Sequence, residues 1–183
     1  MQATSPSLPA EVFKALFRGH PSGVVVITAD AGEGPVALTA SSVASVSAQP
    51  PLLVFSVSTL PSASAVVARA ETVVVHFLDA QDIEVAKLGA TSGIDRFAQA
   101  QTWTRLENGE TVYDGVRAWA RCEITKRVPA GESTVFIARA LESRVARDAA
   151  PGDAGDAGDA LVYHNRTWHR LGEAVSITPH LES

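Results

Sequence analysis

The chain has 183 residues, of which 46% are hydrophobic, 19% charged and only 6% aromatic, with a formal net charge of −5. That length suits one domain with a sizeable core, and the apolar balance excludes a disordered or acidic-tail protein. The acidic excess excludes a nucleic-acid footprint, which needs clustered Lys and Arg, and no apolar run approaches the ~18 residues of a membrane span.

In chain order, residues 1–8 read as a loose tail, 9–173 as the domain and 174–183 as a C-terminal tail. The opening, MQATSPSLPAEVFKALFRG, has neither the early basic residues nor the apolar centre of a signal peptide. With a lone cysteine, Cys122, this predicts a cytoplasmic protein without disulfides. A helix is expected from Pro9, with Val12, Phe13, Leu16 and Phe17 on one face and Gly19 as its stop. His20, Pro21, Ser22 and Gly23 turn the chain into a strand at 24–28. DAGEGP (30–35) reads as a hairpin, 36–42 as the returning strand, and 43–48 as extended. Gln49-Pro50-Pro51 breaks it before a strand at 52–58. A helix at 62–69 and a buried strand at 72–78 follow, and Asp79 is placed to cap a helix running to about Leu88. Residues 91–98 read as a further helical turn and 101–114 as loop.

Two strands then alternate. In the first, Val116, Ala118, Ala120, Cys122 and Ile124 oppose Arg117, Arg121, Glu123, Thr125 and Arg127. In the second, Val135, Ile137 and Leu141 alternate with Thr134, Phe136, Ala138 and Ala140, after a turn at Pro129-Ala130-Gly131. The GDAGDAGDA stretch makes 148–159 a flexible acidic loop within the domain. It lacks the alternating ligands and closing Glu of a calcium loop. Residues 161–164 and 168–171 form a final hairpin around Asn165-Arg166. Many short strands and few helices predict a mainly β barrel or sandwich decorated by helices.

Several motifs fail. Gly32-x-Gly34-x-x-Ala37 follows a strand but does not open an amphipathic helix, so it is no dinucleotide fingerprint. No phosphate-loop or GxSxG motif occurs. The five histidines supply no metal-ligand spacing. His76 sits in an apolar strand and reads as a core residue, and Cys122 reads as an inert core thiol. Two hydroxyl clusters flank the strand at 52–58: Thr39, Ser41, Ser42 and Ser45 before it, then Ser56, Ser58, Thr59, Ser62 and Ser64 after it. Ser62 and Ser64 stand at a helix N-terminus, where free N–H groups suit a phosphate. Singly these are caps and surface hydroxyls; together they also read as walls of a ligand pocket. Both readings stand on the residues alone.

From about Phe13 to Leu171 the chain resembles the flavin reductase-like domain, the small reductase component of two-component flavin monooxygenases. The resemblance is carried by FRGHPSGVVVITA (17–29) and GPVALTASSVASVSAQPPLLVFSV (34–57). The VVVHFL strand, Asp95-Arg96-Phe97, the Asp114-Gly115 turn, Cys122-Glu123 and a YHxxxxHRL ending continue it. It implies a split β-barrel of the FMN-binding type, with Greek-key strands and a few peripheral helices, working as a homodimer. It further implies reduction of FMN or FAD by NADH or NADPH and delivery of reduced flavin to a partner monooxygenase. A flavin carrier or sensor without NAD(P)H oxidation, and an FMN-dependent oxidase with its own substrate, are the alternatives.

By the same resemblance, Thr39, Ala40, Ser41 and Ser42 contact the isoalloxazine and ribityl chain. Ser56, Val57 and Ser58 line the same pocket, Ser62 and Ser64 hold the phosphate, and Arg96 sits near the flavin edge or phosphate. Pro21, Ser22 and Gly23 approach the ring through their backbone. Hydride transfer is the cofactor's chemistry, so no catalytic acid or base and no metal is assigned. One departure stands out. Where many members carry Gly-Asp-His, with the His tied to the nicotinamide cofactor, this chain has Gly131-Glu132-Ser133. Gly131, Glu132 and Ser133, together with His164 and His169, are the candidate nucleotide residues.

Overall fold

The computed structural model describes residues 7–60, 62–145 and 159–172. Of the expected tails and acidic loop, residues 1–6, 148–158 and 174–183 lie outside the described residues. Helix α1 (Ala10–Arg18) ends at Gly19, whose N–H bonds the Phe17 carbonyl. Strands β1 (Ser22–Gly23) and β2 (Val25–Asp30) follow. The Asp30 carboxylate then accepts from the N–H groups of Gly32 and Gly34 at 2.8 and 3.1 Å. Both glycines have φ near +100°, which side chains rarely tolerate, so this is the tight turn into β3 (Pro35–Ala40). Next come β4 (Ala44–Ala48), β5 (Pro51–Ser58), α2 (Ser62–Arg69) and β6 (Thr72–Phe77). Asp79 accepts from the Gln81 N–H and exchanges a reciprocal cap with Asp82, starting a 3-10 turn that leads into α3 (Ile83–Ala90). The chain continues through β7 (Trp103–Arg105), β8 (Thr111–Tyr113), β9 (Ala118–Ala130), β10 (Ser133–Val145), β11 (Ala160–His164) and β12 (Thr167–Leu171).

Three expectations are corrected. Residues 91–98 form no helix: Thr91 is extended at the α3 C-cap, and the Arg96 guanidinium takes the carbonyls of Leu88 and Thr91. The supposed loop at 101–114 contains the β7–β8 hairpin, held by Phe97 against Trp103 and Tyr113. The turn between the long strands lies at Gly131 and Glu132, with Gly131 at φ +62°, while Pro129 and Ala130 still pair with Thr134 and Ser133.

Seven strands form one antiparallel sheet in the order β3-β2-β6-β9-β10-β5-β4. Its non-sequential neighbours give the Greek-key crossings. One core, built from Val25, Ile27, Phe55, Val73, Val75, Cys122 and Phe136, covers one face of the sheet together with Ala63 and Val67 of α2. Among the described residues no ladder joins β3 to β4, so the barrel is open there. A second core covers the outer face of β2 and β6 with Val24, Val26, Val74, Trp119, Tyr113 and Leu161. Burial on both faces explains why these strands read as continuous apolar runs instead of alternating. No helix among the described residues is long and apolar enough to cross a membrane.

His76 is fully buried in this second layer. Its Nδ1 donates to the Val26 carbonyl at 3.0 Å, and its Nε2 accepts the Tyr113 N–H at 3.1 Å. Burial lowers its pKa to about 4, so the ring is neutral and serves as a hydrogen-bond bridge between strands. Cys122 is also fully buried, and burial pushes its thiol up to about 12, which leaves it inert.

Candidate functional site

The glycine stop after α1 and the Pro21 bend deliver Ser22 and Gly23 into β1, which pairs with Tyr163 and Val162 of β11. The Arg18 carbonyl accepts the Asn165 N–H at 2.9 Å, tying the end of α1 to the β11–β12 turn. That assembly is one wall. The opposite wall forms where the chain leaves β3. There the Ser42 hydroxyl donates to the Ser56 carbonyl at 2.9 Å and accepts the Ser56 N–H at 3.0 Å, riveting the bend to β5. Between the walls lies an open cavity of about 850 Å³.

This cavity gathers Pro21, Ser22, Gly23, Ser41, Ser42 and Ser56. Thr39 and Ala40 line a smaller recess of about 230 Å³ that shares Ser41 and Tyr163 with it. The Thr39 hydroxyl is already committed, donating to the Ala86 carbonyl of α3 at 2.6 Å. Replacing Ser42 by alanine removes both bonds to Ser56. The expected result is a loss of about 1 kcal/mol in urea unfolding and weaker quenching of added FMN fluorescence.

Several expected site residues are placed differently. Val57 turns its side chain into the core, because it alternates with Ser56 and Ser58 along β5. Ser58 lies outside the cavity wall, and its carbonyl accepts the hydroxyl of buried Ser64 at 2.5 Å. Ser64 therefore secures the start of α2, and only Ser62 stays exposed there. Arg96 does not reach the cavity; its side chain caps the C-terminal carbonyls of α3, where a cation meets the negative end of the dipole. Gly131, Glu132 and Ser133 sit beside Ser58 and Thr59, with the Glu132 carbonyl accepting both the N–H and the hydroxyl of Thr59.

His164 lines the large cavity. His169 lines a neighbouring recess of about 450 Å³ that His164 also borders, and the two rings are 5.6 Å apart. The His169 Nε2 is 3.2 Å from the His164 carbonyl oxygen and donates to it. Among the described residues no three metal-ligating side chains converge.

Apart from His164, the residues that α1 and the last hairpin contribute to the cavity were not among those expected from the sequence. Phe13, Phe17 and Tyr163 supply apolar surface, and Lys14, Arg18 and Arg166 supply charge. The signal available was the Asn165-Arg166 turn, where both residues adopt positive φ, +49° and +61°. The Glu11 carboxyl beside this wall is held below its ordinary range by a hydrogen bond from Lys14 and its charge, with Arg18 and Arg166 adding to the pull. An apolar shelf, a rim of hydroxyls and three cations, of which only Lys14 is paired with a carboxylate in salt-bridge range, suit a flat ring system carrying phosphate. The volume falls in the ordinary range for cofactor pockets, ~300–1,000 Å³. The flavin expected from the resemblance therefore fits the donor set present.

A sequence profile described as the flavin reductase like domain matches residues 17–172. An NADH:FMN oxidoreductase of Rhodococcus qingshengii is 34% identical over 172 residues, covering 92% of this chain and 87% of that protein. The reductase component of a flavin-dependent trigonelline monooxygenase of Acinetobacter baylyi is 33% identical over 124 residues, covering 67% of this chain and 40% of that protein. The crystal structure of a flavin reductase domain protein from Arthrobacter sp. FB24 superposes with a TM-score of 0.81 at 27% identity, covering 93% of this chain and 99% of the other.

Proposed function

The chain belongs to the flavin reductase-like domain family, and from that premise we propose that it reduces FMN or FAD with NADH or NADPH and delivers the reduced flavin to a partner monooxygenase. The observation that carries this reading is the large cavity, which collects Pro21–Gly23, Ser41, Ser42 and Ser56 from two segments that carry the family resemblance. A bound flavin supplies the hydride acceptor. The backbone at Ser22 and Gly23 and the small side chain of Ser41 let a flat ring lie close. Phe13, Phe17 and Tyr163 exclude water from its face. The protein's contribution to rate is to hold donor and acceptor at reaction distance, so no side chain must move a proton. His164 takes the place of the histidine that Ser133 lacks, since it is the imidazole of the nucleotide candidates that borders the large cavity.

The test is anaerobic mixing of the purified protein with FMN or FAD and NADH or NADPH. The expected result is loss of both nucleotide and flavin absorbance. Flavin binding without turnover by either nucleotide overturns the reductase reading in favour of a carrier.

We also propose that the protein is a cytoplasmic homodimer. Val12 and Leu16 of α1, which do not line the cavity, are 47% and 61% exposed, an apolar edge next to its Phe13–Phe17 wall that a second copy would cover. Gel filtration is expected to give twice the 19.2 kDa of one chain, and Leu16→Asp is expected to elute as a monomer. Elution of the wild-type protein as a monomer overturns this.

A further inference from the structure

Every side chain with a permanent charge on the wall of the large cavity is cationic: Lys14 and Arg18 from α1, and Arg166 from the β11–β12 turn. In a chain with 20 acidic and 15 basic residues, this is a local inversion of sign. Lys14 shares its charge with exposed Glu11 at 2.8 Å. Among the described residues, Arg18 and Arg166 have no carboxylate in salt-bridge range.

The placement is also constrained. Asn165 and Arg166 form a two-residue hairpin turn with both φ positive, a geometry whose second position favours glycine. An arginine held there is the kind of local strain that persists at ligand clamps. The Arg18 carbonyl bonds the Asn165 N–H at 2.9 Å, so the two arginine-bearing segments are joined into one wall.

The residues first expected to hold phosphate are otherwise engaged: the Ser64 hydroxyl on Ser58, and the Arg96 guanidinium on α3 carbonyls. Among the described residues, the two arginines of the wall are therefore the charged donors at the cavity with no carboxylate in salt-bridge range, and Glu11 feels their charge only from a longer distance. A guanidinium fork matches two phosphate oxygens at once, and two forks with a lysine match linked phosphates better than a single one.

We propose that Lys14, Arg18 and Arg166 form a diphosphate-binding wall for a dinucleotide in the cavity. The inference rests on the reductase reading, in which the diphosphate belongs to the nicotinamide donor or to FAD. FMN carries only one phosphate, so it separates the two sources.

The experiment compares the wild-type protein with Arg18→Ala/Arg166→Ala. With FMN as acceptor, the KM for NADH is expected to rise about tenfold and to lose most of its dependence on ionic strength. If FAD is the source, the KM for FAD rises by the same factor while that for FMN stays. Values for NADH and FAD both within about twofold of wild type overturn the proposal, as does an equal rise for FMN and FAD. Arg166→Gly, which relieves the left-handed turn while removing the charge, guards against a folding defect, and Arg166→Lys is expected to recover part of the loss. Lys126→Ala, on the outer hairpin, serves as the control.

Calorimetry with ADP-ribose, which carries the diphosphate without nicotinamide, reads the wall without turnover, and its Kd is expected to weaken about tenfold in the double variant. Wild-type protein that binds ADP-ribose but never oxidises NAD(P)H sinks the reductase reading alone. Turnover with an unaltered double variant sinks the wall alone.

Discussion

Replacing Gly89 by alanine is expected to cost about 1–2 kcal/mol of stability and to weaken FMN binding, although alanine is the better helix former by ~1 kcal/mol. Gly89 is buried on the face of α3 that lies against β3 and β2. A Cβ there would stand 2.4 Å from the Thr39 hydroxyl and 3.2 Å from both the Thr39 backbone nitrogen and Val26 Cγ2. The hydroxyl has nowhere to retreat without breaking its 2.6 Å bond to the Ala86 carbonyl. Overpacking of this kind costs ~1–3 kcal/mol, which outweighs the propensity gain. The displaced strand end is the one that leads through Ala40 to Ser41 and the cavity, so the strain reaches the site. Urea unfolding and FMN fluorescence titration measure the two effects. Thr39→Ala in the Gly89→Ala background should recover part of the stability, since the two positions touch. A Gly89→Ala protein as stable as wild type, with unchanged FMN affinity, refutes this account.

Stability is expected to fall by about 3 kcal/mol as the pH drops from about 6.5 to about 4, through His76 alone. The folded protein keeps this ring neutral down to about pH 4, because burial disfavours the charged form. The unfolded chain takes up the proton near pH 6.5, the ordinary value. Below that point the unfolded state binds more protons, so the contribution is complete above pH 6.5, declines through the window and is gone below about pH 4. Urea unfolding at pH 7.5 and 5 measures the slope. His76→Phe should abolish this component, yet lower stability at pH 7.5 by ~2–4 kcal/mol, because it leaves the Val26 carbonyl and the Tyr113 N–H unpaired inside the protein. A variant with the wild-type slope would show that another group is responsible.

The strands were legible because their signals are local. Asp30, Gly32 and Gly34 specify a hairpin wherever they occur, and α2 begins and ends at the residues expected from its pattern. The β7–β8 hairpin was not legible, since three-residue strands carry no periodicity and theirs is fixed by Phe97 packing on Trp103 and Tyr113. The site was legible in part. Segments 17–29 and 34–57 supply much of the cavity wall, but the use of each side chain within them was not legible. Thr39 anchors α3 rather than presenting a free hydroxyl, and Val57 belongs to the core. In the later segments, Ser64 secures its helix and Arg96 ends another.

By itself the sequence determined the mainly β class, the order of the longer strands, the core placement of His76 and Cys122, and the flavin reductase-like family. Each depends on residue type and spacing along a short stretch of chain, where Pro, Gly and alternating apolar residues act directly on the backbone. Only the tertiary structure decided which hydroxyls are spent on carbonyls and which remain for a ligand. It alone joined Lys14 and Arg18, near one end of the chain, to Arg166 near the other. A hydrogen-bond partner or a cavity wall is a relation between distant segments, and periodicity along one segment does not encode it.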